Sequence, residues 1–261
     1  MSNILETIAA ATRVRVEEAK SVTPTSEIKA QAYALPKGDF AFEKALAQEG
    51  MSFICECKKA SPSKGIIAED FPYVEIAKSY ELAGASAISV LTEPQWFKGS
   101  LEYLREIAAT VKTPCLRKDF TVDEYMIYEA KLAGASAVLL ICSILDEKTL
   151  KEYIGICDDL GLSALVEAHD EDEANMAIRS GARVIGVNNR DLKTFTVDPT
   201  NCLRLRKIIP ENVLFVGESG VKTAEDIKTL HDNKVDAVLI GESFMRADDK
   251  VAFLKELRRL I

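Results

Sequence analysis

The sequence predicts an α/β protein, a closed (β/α)8 barrel preceded by a helical extension. The first observation is a repeat: residues 81–91 (ELAGASAISVL) recur as residues 131–141 (KLAGASAVLLI), with weaker copies at 180–187 and 235–241. In each copy a helical segment ends near Gly or Asn, and glycine suits the left-handed residue that ends a helix. A continuous apolar run follows, which is typical of a parallel strand covered on both faces.

The second observation is the number and spacing of such runs. Eight strand-like runs begin near residues 52, 87, 113, 137, 163, 184, 213 and 236, and helical spacing lies between several of them, over 122–132, 147–160, 171–179 and 222–231. Intervals of this length fit one strand, one helix and two loops. An open doubly wound sheet would usually carry a glycine-rich loop after its first strand, but residues 58–65 read KKASPSKG. The pattern therefore favours the closed TIM barrel.

The first 50 residues precede the first strand and are expected to be an extension packed on the barrel. Helical spacing covers about residues 4–20 and 39–48, and the apolar content is too small for a separate domain. Residues 1–261 are therefore predicted to form a single barrel domain. The extension could close the floor of the barrel or reach the rim of its active site, and the sequence leaves both possibilities open.

Composition limits the classes of function. The chain of 261 residues has 33 Lys and Arg against 41 Asp and Glu, a formal charge of −8. This charge argues against a nucleic-acid partner. Neither a membrane span nor a secretory leader is apparent. The six cysteines lack a zinc-binding pattern and are expected to be buried free thiols in a reducing environment, so we expect a cytoplasmic protein. With two histidines only, we expect no metal site.

Polar residues at the predicted strand ends are the candidates for chemistry, because the carboxyl ends of barrel strands carry the active site. Six of the eight strands end this way. The acidic, basic and amide candidates are Glu56, Lys58, Lys118, Glu167, Asn188, Arg190 and Glu218. Three carboxylates and two lysines would meet in one cavity, and clusters of perturbed ionisable groups mark functional sites. Lysines crowded together lose proton affinity, which would suit one of them as a general acid.

The loops after the seventh and eighth strands predict a phosphate site. Ser219-Gly220 and Gly241-Glu242 let backbone N–H groups approach an anion at the place where barrels often bind phosphate. Other features are less decisive. Trp96-Phe97 could stack on an aromatic substrate or simply close a loop. The segment from Ser61 to Ser63 could be a helix-start turn or a ligand contact, and His169 is expected to be a satisfied loop histidine.

Taken in order, these motifs closely resemble indole-3-glycerol phosphate synthase. The resemblance covers essentially the whole chain and rests on ECKKASPSKG (56–65), KDF (118–120), LVEAH (165–169), NNRDL (188–192) and GESG (217–220). It implies conversion of 1-(2-carboxyphenylamino)-1-deoxyribulose 5-phosphate into indole-3-glycerol phosphate, carbon dioxide and water, in tryptophan biosynthesis. No organic cofactor or metal is implied. Other enzymes of the same pathway are the protein partners that it suggests.

The resemblance also implies a role for each residue. Lys118 would be the general acid and Glu167 the general base of the dehydration, while Lys58, held by Glu56, would orient the substrate and shuttle a proton. Asn188 and Glu218 would fix the substrate hydroxyls and the catalytic charges. The binding residues would be Arg190 and Ser61 for the anthranilate carboxylate, Ser219, Gly220, Gly241 and Glu242 for the phosphate, and Phe97, Phe120, Leu139 and Leu192 for the ring. Glu167, without a lysine on its own strand, would exchange protons more freely than Glu56.

Two other functions stay open at this point. Another phosphate-binding barrel, such as a phosphoribosyl isomerase, would also need an acid–base pair, but it would not need the Ser-Pro-Ser or Asn-Asn-Arg-Asp segments. A catalytically silent barrel could bind a sugar phosphate as a sensor or scaffold. The presence of both Lys118 and Glu167 argues against that second function.

Overall fold

A computed structural model describes residues 4–191 and 195–261 of the chain. In this part, eight parallel strands close into a barrel, each hydrogen-bonded to its neighbours and the last pairing with the first. The barrel strands are β1 (Ser52–Cys57), β2 (Ala87–Leu91), β3 (Cys115–Lys118), β4 (Ala137–Ile141), β5 (Ser163–Ala168), β6 (Val184–Asn188), β7 (Leu214–Glu218) and β8 (Ala237–Ile240). The predicted (β/α)8 barrel is confirmed.

Helices precede and surround the barrel. Before β1 lie α1 (Ile4–Val22), α2 (Thr25–Ala34) and α3 (Ala41–Leu46). Between and after the strands lie α4 (Tyr73–Ala83), α5 (Leu101–Thr110), α6 (Tyr125–Leu132), α7 (Glu147–Leu160), α8 (Glu171–Arg179), α9 (Thr200–Leu205), α10 (Ala224–Asp232), α11 (Glu242–Arg246) and α12 (Lys250–Leu257), with a short 3₁₀ turn at Cys142–Ile144. Gly84 ends α4 with φ 87°, the left-handed cap that the repeat predicted.

Strand alternation separates an inner core from an outer one. Along β1, Phe53 and Cys55 pack outward against the helices, whereas Ile54 belongs to the cluster inside the barrel. Glu56 shares the parity of Ile54, so its side chain faces the barrel interior. The inward direction that the sequence predicted for this carboxylate is therefore observed.

The extension contacts both ends of the barrel. On α3, Phe42 and Leu46 are buried in the inner cluster with the first residues of four strands, so α3 lies against the barrel floor. On α1, Leu5 and Ile8 line the cavity at the opposite end. The two placements that the sequence left open are thus both occupied, by different helices.

Helix α2 was missed by the sequence analysis. Over Thr25–Ala34 only Ile28 and Ala32 are buried, and they pack in the outer core. Two apolar positions four residues apart are too few to stand out as an amphipathic pattern.

Candidate active site

A cavity of about 530 Å³ opens at the carboxyl ends of the strands. It is lined by every predicted site residue within the described ranges: Glu56, Lys58, Ser61, Phe97, Lys118, Phe120, Leu139, Glu167, Asn188, Arg190, Glu218, Ser219, Gly220, Gly241 and Glu242. Leu192 lies outside the described residues. The sequence thus identified a set of residues that meet in one place.

Glu56 and Lys58 form an ion pair at the end of β1. Lys58 Nζ donates to Glu56 Oε1 at 2.5 Å, and Glu56 Oε2 accepts a hydrogen bond from Ser89 Oγ at 3.2 Å. Gly241 lies against this pair, since a Cβ atom at that position would be 2.5 Å from Glu56 Oε1 and 2.7 Å from Lys58 Nζ. Each partner of the pair thus has a hydrogen-bonded neighbour, and a Cβ at position 241 would displace the flexible ends of both side chains.

Lys118 lies between two carboxyl groups from other strands. Its Nζ is 3.2 Å from Glu167 Oε2 on β5 and 3.7 Å from Glu218 Oε2 on β7. Both glutamates are buried, with 3% of each side chain exposed, while 15% of the Lys118 side chain reaches the cavity. The ammonium group is thus accessible to a ligand on one side and bound to carboxyl groups on the other.

Lys118, Glu167 and Glu218 form a trio in which the pKa of Lys118 differs from the expectation. Burial alone would lower the pKa of Lys118, but the charges of Glu167, Glu218 and Glu56 outweigh it and raise that pKa. The prediction that crowding with another lysine lowers the proton affinity is therefore wrong for Lys118. Carboxylates, rather than Lys58, dominate its surroundings.

The two glutamates of the trio have opposite pKa shifts. Burial and the charge of Glu167 raise the pKa of Glu218 to about 8, so Glu218 keeps its proton at neutral pH. Burial also opposes ionisation of Glu167, yet the charges of Lys118 and His169, with hydrogen bonds from Glu218 and Lys118, lower its pKa. Glu167 is consequently a carboxylate with a neutral carboxylic acid beside it, and its ionised state at neutral pH is the one in which a carboxyl group can act as a base.

His169 contacts Glu167, which the sequence analysis did not foresee. Its Nε2 lies 3.4 Å from Glu167 Oε1, and its Nδ1 lies 3.0 Å from Glu173 Oε2 on α8. The expectation of a satisfied loop histidine is met on the Glu173 side only. Glu167 therefore has the ammonium group of Lys118 at Oε2 and the imidazole of His169 at Oε1, whereas we expected only that it has no lysine on its own strand.

Asn188 fixes the neighbouring loops. Its Oδ1 accepts hydrogen bonds from the backbone N–H of Arg190 at 3.0 Å and from Ser219 Oγ at 2.9 Å. Ser219 has φ 65°, a left-handed conformation that a non-glycine residue rarely adopts and that concentrates at functional sites. Arg190 Nη1 donates to Phe195 O at 3.2 Å. The end of β6 thus holds the loop that follows β7.

The Ser-Pro-Ser segment forms a hairpin over the cavity and not a helix start. Ala60–Ser61 pairs antiparallel with Gly65–Ile66, and the N–H of Ala60 donates to Phe97 O at 3.2 Å. Of the two alternatives for Ser61 to Ser63, the helix-start turn is therefore wrong. The segment lines the same cavity as the loops after β7 and β8.

Aromatic residues wall one side of the cavity. The rings of Phe97 and Phe120 have centroids 6.2 Å apart, while Trp96 packs beside the inner apolar cluster. The turn that carries Trp96 and Phe97 is folded around the buried Glu93. The carboxylate of Glu93 accepts hydrogen bonds from the backbone N–H groups of Gln95, Trp96 and Phe97. Phe97 thus lines the site as well as belonging to a folded loop.

A second buried network lies behind Lys118. Asp119 accepts two hydrogen bonds from Arg15 Nη2 on α1, at 2.8 and 2.9 Å, and one from Thr92 Oγ1 at 2.6 Å. Its Oδ1 also accepts from the N–H of Phe120. The charges of Arg15 and Arg117 help to lower the pKa of Asp119 despite its burial. Helix α1 of the N-terminal extension is therefore bound directly to Asp119, the residue that follows Lys118.

Across the described residues, no group of three or more His, Cys, Asp or Glu side chains could hold a metal ion. Among the same residues, no helix has the length and apolar character that crossing a membrane requires.

The closed barrel and the lysine–carboxylate cluster at its mouth define a (β/α)8-barrel enzyme of acid–base chemistry. The profile of the family "Indole-3-glycerol phosphate synthase" matches residues 5–257. The chain belongs to the indole-3-glycerol phosphate synthase family, whose members are carboxy-lyases.

Relatives and solved structures agree with this membership. An indole-3-glycerol phosphate synthase from Ruminiclostridium cellulolyticum is 58% identical over 256 residues, covering 98% of this chain and 98% of the relative. One from Endomicrobium trichonymphae is 52% identical over 98% of this chain and 99% of its own. A solved 3-hexulose-6-phosphate synthase superposes with a TM-score of 0.64 at 20% identity, over 81% of this chain and 100% of its own, and shows the fold alone.

Proposed function

We propose that Lys118 and Glu167 are the acid and the base with which this chain carries out the reaction of its family. The chain is an indole-3-glycerol phosphate synthase, which closes the indole ring of 1-(2-carboxyphenylamino)-1-deoxyribulose 5-phosphate with loss of carbon dioxide and water. The observation that carries the assignment is the contact of Lys118 Nζ with Glu167 Oε2 at 3.2 Å inside the cavity. A proton can pass directly between these two groups, so the acid and the base can return to their starting states after each turnover.

Lys118 donates the first proton. Ring closure adds the aromatic carbon to the ribulose carbonyl, and the oxygen must be protonated as the bond forms. A protonated lysine at the edge of the cavity supplies that proton, and its high pKa ensures that it starts each cycle charged. Decarboxylation follows without a dedicated base, because it restores the aromatic ring.

In the dehydration the hydroxyl group leaves as water with a proton supplied by Lys58, and Glu167 takes the proton that the ring loses. The lowered pKa of Glu167 keeps it ionised at neutral pH, as a general base must be. Lys58, held at 2.5 Å by Glu56, orients the substrate and shuttles a proton. Asn188 and the neutral Glu218 fix the substrate hydroxyls and the catalytic charges.

The remaining residues bind the two anionic ends of the substrate. Ser219, Gly220, Gly241 and Glu242 would contact the phosphate. For Glu242 the backbone N–H is the donor, because its carboxylate is directed to Arg246 at 3.2 Å and Lys64 at 3.8 Å. The anthranilate carboxylate would lie with Arg190 and Ser61, and its ring against Phe97, Phe120, Leu139 and Leu192.

The test is single turnover with rapid quench, measuring carbon dioxide and indole product separately. Glu167→Gln keeps the shape and removes the ionisable group, so carbon dioxide should form without stoichiometric indole. Lys118→Ala should slow both products by ~10²–10⁴-fold, the typical contribution of general acid catalysis. Glu152→Gln, an exposed carboxamide substitution on α7, is the matched control. Equal slowing of both products in Glu167→Gln would mean that Glu167 acts earlier or only structurally.

The cellular setting is proposed on chemical grounds. All six cysteines are buried free thiols, which favours a reducing compartment and hence the cytoplasm. Association with other enzymes of tryptophan biosynthesis stays a prediction.

A further inference from the structure

His169 occupies a position that the proposed reaction does not use. It is the residue immediately after β5, lies behind Glu167 rather than in the lining of the cavity, and has 18% of its side chain exposed. Its ring stands between two carboxylates, with Glu167 Oε1 3.4 Å from Nε2 and Glu173 Oε2 3.0 Å from Nδ1. The three residues thus form a continuous line from α8 to the proposed base.

Glu173 holds the ring on the side away from the cavity. Its Oε2 accepts the backbone N–H of His169 at 2.8 Å and also lies against Nδ1, so one carboxylate oxygen binds two atoms of the same residue. This arrangement places a proton on Nδ1. Asn201 Nδ2 completes the clamp by donating to the carbonyl of His169 at 3.0 Å. The ring therefore has little freedom to turn.

Nε2 is the atom left for Glu167. It is buried and, among the described residues, has no hydrogen-bond partner of good geometry. Buried polar atoms are normally satisfied, and one that is not needs a specific reason. Glu167 Oε1, at 3.4 Å, is the carboxylate oxygen that this atom faces.

The charges around the ring favour an imidazolium. Glu167 faces it from β5, Glu173 from α8 and Glu218 from β7; Cys142 in the 3₁₀ turn contacts the backbone of Glu173. Burial opposes protonation, but the hydrogen bond to Glu173 and the charges of the glutamates raise the pKa of His169. The positive form is the one that donates from both nitrogens.

We propose that His169, clamped by Glu173, is a positioning residue that holds Glu167 ionised and in register with Lys118. The imidazolium engages Oε1 while Lys118 engages Oε2, so each oxygen of the base has its own cation. His169 does not touch the reacting atoms and acts only through Glu167. The inference rests on the proposed role of Glu167 as the base.

The consequence is a change in the pH dependence of the reaction. Glu167 works only when ionised, so the rate rises with pH through its pKa. A neighbouring positive charge lowers the pKa of a carboxylic acid. The part of the pH–rate profile in which the rate rises with pH is its acidic limb. Removing the imidazolium therefore moves this acidic limb to higher pH. A residue with a purely structural role would lower the rate at every pH without moving this limb.

The experiment measures kcat and KM for indole formation from pH 4 to 9. In His169→Gln we expect an acidic limb moved upward by ~1 unit or more, which makes the rate on that limb ~10-fold lower relative to the plateau than in wild type, with KM changed less than ~3-fold. Glu173→Gln should move the limb in the same direction by less. The double variant should be no worse than His169→Gln alone, since both act through one contact. His231→Gln, at the only other histidine and exposed on α10, should leave the profile unchanged.

If the acidic limb of His169→Gln coincides with the acidic limb of wild type, the inference is overturned. If that variant does not fold, Glu173→Gln decides, and an unmoved limb there overturns it equally. Glu167→Gln separates this failure from failure of the proposed function. If Glu167→Gln is defective while His169→Gln has the wild-type profile, only the positioning role is lost. If Glu167→Gln retains more than a tenth of the wild-type rate, Glu167 itself is not the base.

Discussion

Glu218→Gln should make the protein more stable at alkaline pH while impairing its function. Glu218 is buried beside the charged Glu167, and its pKa is raised from the 4.5 of an exposed glutamate to about 8. The folded protein therefore binds a proton at this site more tightly than the unfolded chain does. Glutamine has the shape of the protonated side chain and cannot ionise. It should retain the favourable state at every pH.

The sign follows from proton linkage. Between pH 4.5 and about 8 the folded state holds one more proton here than the unfolded state, so Glu218 makes the free energy of unfolding fall as pH rises. A pKa difference of about 3.5 corresponds to ~5 kcal/mol at ~1.36 kcal/mol per unit. Lys118 and Glu167 share these charges and adjust their own protons, so we expect at least ~3 kcal/mol to appear in the variant. For a chain of this length that is a rise in Tm of ~6–12 °C.

The assay is thermal unfolding followed by circular dichroism from pH 5 to 9. Wild type and Glu218→Gln should have similar Tm values near pH 5 and diverge as pH rises, with the variant higher above pH 8. Glu152→Gln removes one exposed carboxylate and should track wild type throughout. Parallel curves for wild type and Glu218→Gln would refute the reasoning, because they would show that Glu218 ionises equally in the folded and unfolded states.

Two further predictions concern the surroundings of the site. Arg15→Ala should lower the free energy of unfolding in urea by ~2–3 kcal/mol, since it leaves the buried Asp119 without the guanidinium that contacts both of its oxygens. A loss below ~0.5 kcal/mol would mean that Thr92 and Arg117 are sufficient partners for Asp119. Gly241→Ala should lower kcat by ~10-fold or more with little change in Tm, because its Cβ displaces the mobile ends of Glu56 and Lys58. Gly155→Ala, where a Cβ meets nothing within 4 Å, is the matched control, and equal kcat in both variants would contradict the argument.

The barrel could be predicted because its signal is periodic and local. Residues 81–91 and 131–141 repeat a helix end followed by an apolar strand, and each copy becomes the same unit of the fold. The set of cavity residues could also be predicted, since strand parity decides which side chains face inward. Glu56 and Lys118 are on the inner face for this reason. Features that repeat along the chain can therefore be predicted without a structure.

Contacts between distant segments could not be predicted in the same way. Arg15 and Asp119 are 104 residues apart, and nothing in either local sequence indicates the other. His169 is different, because its spacing of two residues from Glu167 and four from Glu173 was visible. Because helical spacing over residues 171–179 was also visible, the contact between His169 and Glu173 could have been predicted, whereas the approach of the ring to Glu167 Oε1 became apparent only in the structure.

The rise in the pKa of Lys118 shows why counting the charged residues near a group is not enough to predict the direction in which its pKa shifts. The sequence placed two lysines and three glutamates together, and either sign could have dominated at a given atom. In the structure Lys58 is bound to Glu56, which leaves Lys118 facing Glu167 and Glu218. Pairing thus decides the pKa of Lys118, and pairing depends on which strands are adjacent across the barrel.

The neutral state of Glu218 also explains how an acidic protein can hold a substrate with two anionic ends. With Glu218 ionised, three carboxylates would face two ammonium groups, and the cluster would repel the phosphate and the anthranilate carboxylate. With Glu218 protonated, Glu56 and Glu167 are each matched by one lysine, so this cluster does not repel the anion for which Arg190 and the rim loops are the proposed contacts. On that proposal, the burial that raises the pKa of Glu218 favours binding while it costs stability at high pH. Proteins commonly accept such local destabilisation where a site requires it.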